Sequence, residues 1–201
     1  MRKERVVLTL VYLLLGTALA LIARFTPLAS SAASILLAVL WLGFLLAISF
    51  METWVKFRAP FPPHHFGVDV GRTVYRALHA VERGLVLGLW LVHVVGSPHI
   101  TTDTSFALLI TLKLLVVVQH RMLFPKVELR AQHELYNALK VTPVEEMDHK
   151  ARQELDSIQE RVQTMPLPST VYRVAYGIAE VSKMALLTVF AFEYLTRISD
   201  E

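Results

Sequence analysis

The chain has 201 residues, of which 54% are hydrophobic and only 18% charged, with a mean hydropathy of +0.49. That is too apolar for an ordinary soluble domain of this size and points to a bilayer. The absence of cysteine excludes a disulfide scaffold, a thiolate nucleophile and cysteine-ligated metal centres, and leaves His and carboxylate chemistry open.

A hydrocarbon core of about 30 Å needs about 20 apolar residues in helical form. The sequence predicts five such spans, at about 6–24, 34–56, 76–97, 105–124 and 170–196 of a single membrane domain covering residues 1–201. The first run, Val6 to Ala23, is uncharged and entered by Arg2, Lys3 and Arg5. It resembles a signal peptide, but its 18 apolar residues exceed the usual apolar region of about 7–15, so a retained span is expected. The second run follows a turn at Pro27, Ser30 and Ser31, and closes at Lys56 and Arg58. The next loop contains His64 and His65 after four residues rich in proline, a pair expected to be solvated.

The third span has a purely apolar part only from Gly84 to Gly96 and must extend back through VYRALHAVER. Gly84 and Gly88 form a GxxxG, which permits close helix approach. Arg72, Arg76 and Arg83 recur at helical spacing and suit lipid phosphate. His93 lies deeper, without a matching imidazole at its level for a haem. The fourth span carries Lys113 near its middle, expected to be buried, and is expected to stop at Pro125.

Residues 126–166 read as a charged helical excursion before the last span. Between Pro125 and Pro168 six basic residues face eight acidic ones. Two amphipathic helices are expected, Val127–Lys140 and Pro143–Gln163, the second opened by the capping box Thr142-Pro143-Val144-Glu145. They either pack on each other and the span ends or dock another protein. The acidic balance of the second helix argues against nucleic acid and against lying on an anionic leaflet.

The distribution of Lys and Arg places the N-terminus in the cytoplasm and, with five spans, the C-terminus on the opposite side, in a bacterial or organellar inner membrane. With that topology Glu52, His79, Glu82, Gln119, His120, Glu180 and Lys183 fall at one level near the cytoplasmic side. An unpaired charge in hydrocarbon costs at least about 2.5 kcal/mol, so these groups are expected to face the bundle interior. Glu52, His79, Glu82, His120, Glu180 and Lys183 are the candidate binding residues. They could hold a metal ion, pass protons or bind a small polar species, or they could only neutralise one another and pin helix register. No nucleotide-binding or hydrolase motif is present, so no cofactor is assigned.

Three stretches carry a resemblance: Trp41-Leu42-Gly43 with Met51 to Phe57; His65-Phe66-Gly67 with Gly71 to Tyr75; and Gln119 to Pro125. In these the chain resembles a family of small integral-membrane proteins similar to transmembrane protein 205 and its bacterial relatives, over about residues 34–195. The resemblance implies an all-α polytopic bundle with a charged cytoplasmic segment before the last span. It assigns no functional residue. An accessory subunit of a larger membrane complex is the competing function.

Overall fold

The computed structural model describes residues 2–24, 27–58, 63–96, 104–140 and 149–200, which are almost entirely helical. Six helices result: α1 (Arg2–Ala23), α2 (27–58), α3 (His64–Gly96), α4 (Thr104–Leu139), α5 (His149–Thr164) and α6 (Val171–Asp200). All except α5 are long and apolar enough to cross a membrane. The capping box at Thr142–Glu145 lies outside the described residues.

Three boundaries differ from the sequence expectation. Helix α2 begins at Pro27 instead of residue 34, because proline is tolerated in a first helical turn. The serines read as a turn, Ser30 and Ser31, are helical and buried with Ser34. Helix α3 begins at His64 and runs unbroken for 33 residues, about 50 Å at 1.5 Å per residue. Its polar first turns are helical because neighbouring helices supply carboxylates for its arginines.

Helix α4 does not stop at Pro125. Proline lacks an N–H and its ring crowds the preceding turn. Here that turn, Gln119–Leu123, is a wider π-helical one, and α-helix resumes from Phe124 to Leu139 with Pro125 in its first turn. The first helix of the expected excursion is therefore the continuation of the fourth span. A second π-helical stretch, Leu46–Glu52, interrupts α2.

Paired contacts set the topology. Thr9 donates to the Ala80 carbonyl at 3.0 Å, and Gly16 meets Gly88, so α1 runs parallel to α3. Glu82 meets Lys183 and His93 meets Tyr194, so α6 also runs parallel to α3. Trp41 with Glu82 and Thr53 with Tyr75 make α2 antiparallel to it. Phe106 with His93 and His120 with Glu82 do the same for α4. Among the described residues the five long helices thus alternate in direction along the bundle, with α5 at the end where α3 begins.

Helix α3 is the centre: most of its apolar stretch is buried, whereas most of α1's is not. Gly84 and Gly88 seat it on α1, where a Cβ at Gly88 would stand 2.9 Å from the Gly16 Cα. Leucines at 37, 78, 85, 89, 109, 112 and 187 fill the interior. Leu14, Leu114, Val174 and Phe192 point outward, the apolar exterior that lipid requires. At the α5 end, α5 packs on the extension of α4, with Leu129, Leu135 and Ile158 buried and Glu154 paired to Arg72 at 3.0 Å. Leu129, Leu135 and Ile158 are thereby covered within the chain.

Candidate functional site

Helical spacing aims four helices at one level of the interior. On α3, His79 and Glu82 stand three apart and share a face. On α6, Tyr176, Glu180 and Lys183 recur at spacings of four and three. On α4, the π-helical turn lets two adjacent residues serve the same cluster: Gln119 reaches Glu180 and His120 reaches Glu82. On α2, Trp41 and Ser49 contribute from either side of the start of its π-helical stretch.

Two carboxylates organise the network. Glu82, fully buried, accepts hydrogen bonds at Oε1 from the Trp41 indole at 3.1 Å and from the Lys183 ammonium; its Oε2 lies 2.8 Å from His120 Nε2. Glu180 accepts from Ser49 at 3.0 Å, from Lys183 at 3.1 Å and from the Gln119 amide. Lys183, also fully buried, bridges the two acids. His79 packs its ring 3.9 Å from that of His120 and places Nε2 2.8 Å from the Tyr176 hydroxyl. Gln119 Oε1 is buried without a hydrogen-bond partner among the described residues.

A cavity of about 610 Å³ leads to this network from the α5 end, between α2, α3, α4 and α6. Along α6 it is lined by Arg173, Tyr176, Gly177, Glu180 and Val181, and opposite them by Ser49 and Tyr75. Glu180 therefore belongs both to the buried network and to the cavity wall. Toward the other end, Leu85, Leu89, Leu109, Leu112 and Leu187 close the interior with hydrocarbon. Beyond that layer His93 Nδ1 lies 2.9 Å from the Tyr194 hydroxyl. His93 and His120 are thus separated by a layer of leucines and share no ligand space.

Of the six candidate binding residues, His79, Glu82, His120, Glu180 and Lys183 come together, and Glu52 does not. The π-helical stretch of α2 turns Ser49 toward Glu180, and Glu52 instead pairs with its own Lys56 at 3.0 Å. The arginine stripe divides. Arg72 is buried between Asp69, at 2.7 Å, and Glu154, and Arg76 is held by Glu128, so neither is presented to lipid phosphate. The acids that engage them belong to α3 itself, to α5 and to the α4 extension. Arg83 alone is exposed, in a crevice with Arg5, Val6, Thr9 and Leu10. Lys113 is exposed rather than buried, its ammonium 5.0 Å from the centre of the Trp90 ring. His64 lies exposed at the cavity lining.

Sequence reading omitted Trp41, Ser49 and Tyr176 from the candidate residues. Tyr176 carried a usable signal, lying one turn before Glu180 on the same stripe; Trp41 and Ser49 carried none, since indoles and serines are common in apolar spans. Comparison with known proteins finds no family model, curated protein or solved structure that matches the chain.

Proposed function

We propose that the chain is an integral membrane protein that binds a small cationic or polar species at the interior network around Glu82 and Glu180, admitting it through the cavity at the α5 end. That end carries Lys56, Arg58, Arg72 and Arg76, which supports a cytoplasmic orientation by the positive-inside rule. The single observation that carries the reading is that Glu180 lines the cavity while bound into the buried network. Two carboxylates against one ammonium leave the network able to accept a further positive charge. The leucine layer beyond it favours binding, or passage by a step that rearranges that layer, over an open channel.

The residues that carry the resemblance to proteins like transmembrane protein 205 include Trp41, Tyr75, Gln119 and His120, and these cluster at the network and cavity. Arg83, exposed beside Arg5, is the remaining candidate for lipid phosphate.

The experiment exploits the lack of cysteine and the open space at two glycines. A Cβ at Gly177 or Gly43 meets nothing within 4 Å. Gly177 lines the cavity and Gly43 does not. Gly177→Cys should react with a water-soluble maleimide in membranes, from one side only, and Gly43→Cys should not. Absence of reaction at Gly177→Cys removes the cavity and the reading with it.

A second reading, a scaffold or accessory subunit, has its own support: every carboxylate oxygen of Glu82 and Glu180 already has a partner. Its docking surface would be the outer faces of α5 and of α4 beyond Val127. It is favoured if Glu180→Gln leaves function in cells unchanged while deletion of α5 abolishes it.

A further inference from the structure

We propose that His79, Glu82 and His120 form a site for one divalent first-row transition-metal ion of the zinc, iron(II) or cobalt(II) kind. The inference rests on the proposed interior binding site and names its ligand class.

The three residues each offer a donor atom, and the three donors lie within 4.8 Å of one another. Ligands about 2.1 Å from an ion in a tetrahedral shell stand about 3.4 Å apart, so the widest pair must close by at most about 1.4 Å while Glu82 Oε2 and His120 Nε2, now 2.8 Å apart, open slightly. Two imidazoles and one carboxylate suit borderline ions. Calcium and magnesium prefer all-oxygen shells, and ions that demand thiolate find none in a chain without cysteine.

The surroundings hold the donors as metal sites do. Metal-bound imidazoles and carboxylates are commonly fixed by hydrogen bonds at their other atoms. His79 has Nε2 against the Tyr176 hydroxyl, so with that bond kept it would bind an ion through Nδ1. Glu82 has Oε1 engaged by Trp41 and Lys183, which leaves Oε2, now against His120 Nε2. An ion entering between Glu82 Oε2 and His120 Nε2 replaces one hydrogen bond with two coordinate bonds. Tyr176 also lines the cavity, so it stands between the entry route and His79.

Self-neutralisation alone does not account for the imidazoles. Lys183 already bridges Glu82 and Glu180. Register could be set by that pair without two histidines packed ring against ring in an apolar bundle, where leucine or phenylalanine would pack without hydrogen-bonding demands. Lys183 in this view is the competitor: it shares Glu82 with the ion and weakens the ion's hold by like charge.

The test uses the full-length chain in detergent micelles, stripped with chelator and titrated with cobalt(II), whose visible absorption reports its ligand field. The wild type should take up one cobalt per chain. His120→Ala should lose at least about tenfold in affinity, and Tyr176→Phe, which removes no ligand, should lose about tenfold. Lys183→Met should gain affinity, by tenfold or more on the order of a removed nearby charge. The His64→Ala, His65→Ala double variant should bind as the wild type does. Size-exclusion profiles check folding, and Tyr176→Phe carries the test if His120→Ala proves misfolded. No cobalt spectrum in the wild type, or identical spectra in the wild type and His120→Ala, overturns the inference. If Gly177→Cys is still labelled in that case, only the metal assignment falls and the cavity reading stands.

Discussion

Lys183 on α6 and Glu82 on α3 are both fully buried and in direct contact, one hundred and one residues apart in sequence. Burial of an ion pair costs desolvation of both charges, yet removing one partner leaves the other charge stranded. The pair therefore locks α3 and α6 in register while holding charge where hydrocarbon would otherwise exclude it.

Breaking this pair should cost stability asymmetrically. Lys183→Met or Glu82→Gln alone should each destabilise by about 3–5 kcal/mol. The double substitution should recover a large part of that loss, because no uncompensated partner remains. Thermal unfolding of the four proteins of this double-mutant cycle in one detergent checks it; additive losses would mean the two side chains are energetically independent.

The contact of α1 with α3 depends on absent side chains. Gly16→Leu should push the helices apart, since its Cβ would collide with the Gly88 backbone, with a loss of about 1–3 kcal/mol. Gly43→Ala and Gly177→Ala, which meet open space within helices, should not destabilise and should gain up to about 1 kcal/mol. Melting temperatures of the three variants distinguish the close approach from a general intolerance of substituting helical glycines.

Glu154 tethers α5 to α3 through Arg72. Because Glu154 is only partly buried, Glu154→Gln should cost at most about 1 kcal/mol. Its effect should be local: faster hydrogen exchange in α5 with little change in α3. Equal acceleration in both helices would show that α5 and the bundle open together.

Lys113 projects outward beside Trp90. Lys113→Leu should therefore leave stability within about 0.5 kcal/mol or raise it, in contrast to Lys183→Met. A loss comparable to that of Lys183→Met, measured by thermal unfolding, would place the ammonium inside the bundle.

Much of the architecture is legible in the order of residues. Helix content and the five apolar stretches follow from composition and from the length a bilayer demands. The level of His79, Glu82, His120, Glu180 and Lys183 follows from counting along each span. The GxxxG at Gly84 was legible as a close contact, although nothing in it named α1 as the partner. The end of the fourth span was not legible. Pro125 is a stop signal in isolation, and only a π-helical turn packed against α3 and α6 lets the helix continue.

What the residues determined by themselves was local and periodic: which stretches are helical and apolar, which charges are too costly to face lipid, and at what level they fall. What only the packed bundle decided was partnership. Glu52 and Glu180 are both acids within apolar helices, yet one pairs within its own helix and the other also reaches two further helices. Arg72 and Lys113 exchanged the environments their spacing suggested, the first buried and the second exposed. The physical reason is that periodicity specifies an angle around one helix axis. Rotation of that axis, shifted here by two π-helical turns, is set by how all the helices fill space together.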